Sequence, residues 1–127
     1  MTDVADFIST ESVTSMLYAS EIQKGLLPKK RHFDKMNMDY GILYWPHSVL
    51  SGDFYWLGLR EDKIFLAVAD CTGKGISASL LSVMGISLLN YVILSKNYDL
   101  LGDYLKELDK KWLETFQSEN EDKMFNN

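Results

Sequence analysis

Cysteine, proline and basic residues are all scarce in this chain of 127 residues. The one cysteine, Cys71, excludes an internal disulfide and is consistent with a reducing compartment, so a cytoplasmic location is expected. The two prolines, Pro28 and Pro46, leave long stretches free to form regular structure and mark two sharp stops. Lys and Arg number 13 against 18 Asp and Glu, a formal charge of -5. No basic cluster is large enough to grip a nucleic-acid backbone, so nucleic acid is excluded as a partner. The one basic run, Lys29-Lys30-Arg31, follows Pro28 and reads as a solvated turn. Met1 to Asp6 is acidic and lacks the basic-then-apolar order of a signal peptide.

Apolar residues make up 46% of the chain, enough for the core of one domain or part of one. The longest apolar run, Ser77 to Leu94, approaches the roughly 20 residues that a bilayer requires. Ser77, Ser79, Ser82, Ser87 and Asn90 interrupt it, and neither an aromatic belt nor a basic flank brackets it. It is therefore expected to be a helix buried between two layers of a soluble fold, with no membrane insertion.

The remaining pattern predicts helix, three strands, helix, helix. Thr10 followed by Glu11 suggests a helix start, and Met16, Ala19, Ile22 and Leu26 follow at helical spacing until Pro28. This first helix is poor in large apolar residues and reads as a connecting element. Met38 to Trp45 predicts a strand closed by Pro46, Gly52 to Leu59 a second, and Ile64 to Ala69 a third. The third is almost continuously apolar and so is expected to be covered on both faces. A last amphipathic helix spans Asp99 to Phe116. Its expected buried stripe is Leu101, Tyr104, Leu105, Leu108, Trp112 and Phe116, with Lys106, Glu107, Asp109, Lys110 and Lys111 opposite. A polar tail runs from Gln117 to Asn127.

Two short stretches carry the chemistry: Ser51-Gly52-Asp53-Phe54-Tyr55-Trp56 and Ala69-Asp70-Cys71-Thr72-Gly73-Lys74-Gly75. The turn Arg60-Glu61-Asp62-Lys63 is too short for anything but an antiparallel hairpin. Asp53 begins one arm and Asp70 ends the other, so both carboxylates emerge at the same end. Paired hard oxygen ligands are what Mg2+ or Mn2+ requires. After Asp70, a strand-to-helix loop with two glycines lets backbone N–H groups approach an anion. A nucleotide P-loop fails there: Val68 stands where its first glycine belongs, and Gly75 replaces the Ser or Thr that would hold Mg2+. By themselves, two turn aspartates fit the solvated corners of an unrelated α+β domain better, since aspartates are common at surface turns.

In register, these stretches resemble the bacterial SpoIIE-like branch of the PPM-type serine/threonine protein phosphatases. Ile22-Gln23 and Leu26-Leu27-Pro28 match the helix that precedes that domain. Ser51 to Tyr55 match its Ser-Gly-Asp-Phe-Tyr, and Ala69 to Gly75 match its Ala-Asp-x-Thr-Gly-His-Gly save at Lys74. Met84-Gly85-Ile86-Ser87-Leu88-Leu89-Asn90 match the core of its long apolar helix. The resemblance implies an α+β fold, the N-terminal portion of a PPM-type α-β-β-α sandwich, incomplete in this chain. Residues 1–28 would be a linker or connecting helix and 29–127 the N-terminal portion of the phosphatase domain.

The resemblance also implies a mechanism: hydrolysis of phosphoserine or phosphothreonine by direct attack of metal-bound water, with two Mn2+ or Mg2+ ions in the complete domain. Asp53 would ligate one ion, Asp70 would bridge the pair, and the Cys71 backbone carbonyl would add a ligand. Gly73, Lys74 and Gly75 would face the phosphate. No Arg-containing phosphate loop follows Cys71, which excludes cysteine-phosphatase chemistry. The implied partner is a phosphoprotein, in this family often an anti-sigma-factor antagonist. An upstream sensor domain and a homodimer through the first helix are further candidates.

Two departures qualify the expectation. Lys74 stands where the family has His, and a lysine is a poor proton donor at neutral pH. The family's remaining metal-binding aspartates lie on later strands, whereas the carboxylates here beyond the apolar helix fall on the last helix or the tail. The 127 residues alone are thus expected to bind metal weakly and turn over little or nothing. The alternative is a non-catalytic phosphoprotein-binding or dimerisation module derived from the same fold.

Overall fold

A computed structural model describes residues 3–125. Four helices and a two-stranded sheet follow in the order α1 (Val4–Leu26), α2 (Lys30–Asp34), β1 (Asp53–Arg60), β2 (Lys63–Asp70), α3 (Gly75–Ser95) and α4 (Leu101–Phe125). The chain sorts into two compact units. One runs to Leu57 and resumes over Leu66–Val83; the other comprises Gly58–Phe65 and the chain from Met84 onward.

In the first unit, α1 starts earlier than Thr10. Asp3 is the N-cap, its Oδ1 accepting from the Ala5 N–H at 3.4 Å. Thr10 lies within the helix, and its hydroxyl donates to the Asp6 carbonyl at 2.8 Å. The carboxylate that could cap stood upstream, so the hydroxyl turned back on its own helix. The helix stops at Leu26, ahead of Pro28, whose ring disfavours helical backbone in the residue before it. Ser20, Gln23 and Leu27 are buried, whereas the described side chains from Val4 to Ser15 are all exposed.

Lys29-Lys30-Arg31 is not a plain turn. The Lys29 N–H donates to His32 Nδ1 at 2.8 Å, and the short helix α2 follows. Phe33 anchors α2 in the core and stacks on Tyr40 with ring centroids 4.8 Å apart. The strand expected over Met38 to Trp45 is absent: this segment carries no ladder, and Leu43 and Trp45 are 89% and 88% exposed. It meets β1 through a side chain instead, the Tyr44 hydroxyl donating to the Asp53 carbonyl at 2.9 Å.

The hairpin forms as expected, with strand boundaries one residue away from those predicted. Glu61 takes a left-handed φ of 56°, which suits the primed turns that close two-residue hairpins. On one face, Phe54 and Trp56 are buried. The other face is open: Val68 is 84% exposed and Leu66 63%. The expectation that the third strand is covered on both faces therefore does not hold among the described residues.

Helix α3 is long and apolar enough to cross a membrane by length and composition. It is not buried all round. Ala78, Ser79 and Ser82 are buried in the first unit and Ile86, Val92 and Ile93 in the second, all on one stripe. Ile76, Leu80, Tyr91 and Leu94 are exposed.

In the second unit, Tyr104 is the buried anchor of α4. Its ring meets Phe65 at 5.2 Å and Tyr98 at 5.1 Å, both edge-on, and its hydroxyl accepts from the Tyr98 N–H at 3.1 Å. The buried stripe is narrower than predicted. Leu108 and Trp112 are half-buried beside it, while Leu101, Leu105 and Phe116 are exposed. Helix α4 continues to Phe125, so most of the expected polar tail is helical; Asn126 and Asn127 lie outside the described residues.

Candidate metal and phosphate site

The two-residue turn sets the register of the whole hairpin. Arg60 faces Lys63 next to the turn, and counting back along both arms puts Asp53 opposite Asp70. The ladder continues one step further, with the Cys71 N–H donating to the Gly52 carbonyl at 3.1 Å. Because Gly52 and Cys71 form a hydrogen-bonded pair, their neighbours Asp53 and Asp70 form a non-hydrogen-bonded pair, the kind with Cα atoms about 4.5 Å apart and side chains closest. Both carboxylates point to the open face of the hairpin and are exposed.

Two like charges at that separation repel unless something intervenes. The hydrogen bond to Asp70, then burial, then the Asp70 charge raise Asp53 above the ordinary aspartate value of 3.8. Among the described residues, no ion pair engages either carboxylate. Their chemistry fits a hard divalent cation, which would offset the repulsion between them. The shell is partial, since no group of three or more His, Cys, Asp or Glu could hold a metal among the described residues.

Close packing behind the carboxylates accounts for Gly52. A Cβ there would lie 2.6 Å from the Cys71 carbonyl oxygen and 3.1 Å from the Ala78 side chain. The Cys71 carbonyl thus lies against Gly52, immediately after Asp70. The Cys71 thiol is pushed up by burial and then by the charges of Asp70 and Asp53, which keeps it protonated and unreactive.

Beyond Cys71 the loop is exposed at Thr72, Gly73 and Lys74. Gly73 and Gly75 take φ of 98° and 70°, both in the left-handed region, and Gly75 opens α3. Both are used for backbone conformation, since nothing lies within 4 Å of a Cβ built on either. The loop places Gly73, Lys74 and Gly75 directly after the carboxylate pair, at the start of a helix.

Sequence reasoning named Ser51 and Gln23 only as residues matching the family pattern, with no role for either, and did not name Tyr44. Ser51 Oγ accepts from the Asp53 N–H at 3.0 Å, and Tyr44 holds the Asp53 carbonyl. The buried Gln23 binds the Ser51 backbone at both its carbonyl and its N–H, the latter at 3.0 Å to Oε1. A glutamine between apolar helix positions was the available signal, but a glutamine on the solvated side of a helix carries the same one.

No protein-family model matches the chain, and no curated protein matches it by sequence. Among solved structures, the chain is similar to the SiaA-PP2C domain of Pseudomonas aeruginosa. The TM-score is 0.71 at 26% identity, and the match covers 81% of this chain and 42% of that one. The chain therefore spans less than half the length of that structure.

Proposed function

From a chain that carries part of a PPM-type (PP2C-like) phosphatase fold, we propose a role in metal-dependent hydrolysis of phosphoserine or phosphothreonine on a signalling protein. The observation that carries this reading is the contact between Asp53 and Asp70 at the open end of the hairpin, with the glycine loop directly behind it.

On this reading Asp53 and Asp70 hold divalent ions, Mn2+ or Mg2+, and the Cys71 carbonyl adds a neutral oxygen. Bound there, the ions supply an acidified water and neutralise charge on the phosphoryl oxygens. The protein's own residues do the rest. Asp53 and Asp70 would hold the cation from the two arms of the hairpin. Lys74 adds a point charge that attracts the phosphate, and the backbone at Gly73 and Gly75 lets the phosphate come close. Lys74 does not replace a histidine as a proton donor, so departure of the alcohol relies on solvent or on residues supplied elsewhere.

The substrate is proposed to be a phosphoprotein, of which an anti-sigma-factor antagonist is one kind, under the control of an upstream sensor in the cytoplasm. A homodimer through α1 is supported by the exposure of Val4, Val13, Leu17 and Tyr18 along it. One observation favours a second reading, a non-catalytic phosphoprotein-binding module: the two carboxylates have no third acidic ligand among the described residues.

The test is Mn2+ titration of the wild type, Asp53→Asn and Asp70→Asn, beside phosphate release from a phosphoserine peptide with Mn2+ and with chelator. Weak Mn2+ binding lost in both variants, with little or no turnover by these residues alone, supports the metal site. Mn2+-dependent turnover abolished by Asp70→Asn would show a site completed within these residues or by a second copy. Binding that neither substitution weakens would overturn the proposal.

A further inference from the structure

Gln23 is the only residue of α1 with hydrogen bonds to the segment that leads into β1, among the bonds seen in the described residues. Both amide hydrogens and the amide oxygen are engaged. One Nε2 hydrogen goes to the Ser51 carbonyl, and the other goes to Ser82 Oγ on α3 at 2.9 Å. Its Oε1 accepts from the Ser51 N–H at 3.0 Å. Ser82 is fully buried and spends its own proton on the Ser79 carbonyl at 2.7 Å, so it can only accept from Gln23. The set fixes which way the amide faces, because the opposite orientation would set donor against donor at the Ser51 N–H.

From Ser51 the connection to the carboxylates is short. Ser51 Oγ holds the Asp53 N–H, and Gly52, between them, carries the carbonyl that takes the Cys71 N–H. We propose that Gln23 is a positioning residue for the Asp53–Asp70 pair: by clamping both backbone groups of Ser51 it fixes the corner that aims Asp53, and so ties the placement of a metal ligand to α1. This rests on the metal reading of the pair given above. Only glutamine combines two donors and an acceptor at this reach: glutamate has no donor when ionised, and methionine has neither.

The test follows amide hydrogen exchange and Mn2+ paramagnetic broadening in one set of nuclear magnetic resonance spectra, on wild type, Gln23→Met and Ser82→Ala. In Gln23→Met, exchange at Asp53 and Cys71 is expected to accelerate by about tenfold, the worth of one hydrogen bond, while Trp56 in mid-strand keeps its rate. Mn2+ broadening at Asp53 is expected to need at least about tenfold more Mn2+. Ser82→Ala lowers the melting temperature but leaves Asp53 exchange and Mn2+ affinity unchanged, since Ser51 stays clamped. Should Gln23→Met not fold, Gln23→Glu, which keeps the acceptor and loses the donors, is read by the same criteria. Unchanged Asp53 and Cys71 exchange in a folded variant overturns the proposal. So does an equal loss of Mn2+ affinity in Ser82→Ala, which would make Gln23 a packing residue only. A wild type that Mn2+ does not broaden overturns the metal reading, while the exchange rates still decide the positioning by Gln23.

Discussion

Asp53 and Asp70 face each other across the hairpin as a non-hydrogen-bonded pair, and Asp70 is the principal electrostatic neighbour of Asp53. Without metal this is an unfavourable arrangement that a proton relieves. The native state holds that proton to higher pH than the unfolded chain does, because Asp53 is raised above 3.8. The native state therefore binds more protons over that window, and stability falls as pH rises from about 3.8 through the raised value.

Asp53→Asn removes the repulsion and offers Asp70 a permanent donor. In urea unfolding without metal, the variant is expected to be more stable than wild type at neutral pH by at most about 1 kcal/mol, the ceiling for exposed charge pairs. The difference should shrink as the pH falls toward and below 3.8, where Asp53 holds its proton. A variant less stable than wild type at pH 7 would show that the two carboxylates do not repel.

Mn2+ reverses that ranking. A ligand that binds only the native state raises stability with its concentration, by about 2.7 kcal/mol at a hundredfold excess over its dissociation constant. Wild type should gain melting temperature with added Mn2+ and lose the gain on chelation, whereas Asp53→Asn and Asp70→Asn should show no gain. An equal rise in all three proteins would place the metal elsewhere.

Gly52→Ala forces a methyl group to within 2.6 Å of the Cys71 carbonyl, with Ala78 also too close to yield. The backbone must move, at a cost of about 1–3 kcal/mol by analogy with overpacked cores. Because the same residue accepts the Cys71 N–H, this variant should also lose Mn2+ affinity. Urea unfolding and the Mn2+ titration measure the two effects.

Gly73→Ala makes no clash, since nothing lies within 4 Å of the added carbon. Its cost comes from φ of 98° alone, about 1–2 kcal/mol. Gly73→Asn should cost less than Gly73→Ala, because asparagine tolerates the left-handed region better. Equal losses would mean the conformation is not held in solution.

Tyr104→Phe keeps the two edge-on ring contacts and removes the acceptor for the Tyr98 N–H. The expected loss is about 1 kcal/mol, against about 3–5 kcal/mol for Tyr104→Ala, which also opens a cavity. Equilibrium unfolding of the two variants separates the hydroxyl from the ring.

The hairpin and its carboxylates were legible in the sequence because local rules set them. A two-residue turn fixes an antiparallel register, and register decides that Asp53 and Asp70 meet. The long apolar helix was equally plain from its composition, as was the helical stop before Pro28. The segment at 38–45 misled because a strand-like composition predicts only the capacity to pair; this segment meets β1 through the Tyr44 hydroxyl. The open face of β2 and the exposed stripe of α3 misled for a related reason, since an apolar residue states a preference for burial and not the presence of a cover.

By itself, then, the sequence determined where the two aspartates lie along a hairpin and which loop follows them, as consequences of neighbours in the chain. Only the tertiary structure decided what holds them there. Gln23 reaches Ser51 and Ser82 across separations of 28 and 59 residues, and nothing in a helix's own periodicity distinguishes a glutamine that will be buried from one that will be solvated. Burial without partners would make that amide costly, and three partners make it a clamp. That choice is made by packing, after the local structure has formed.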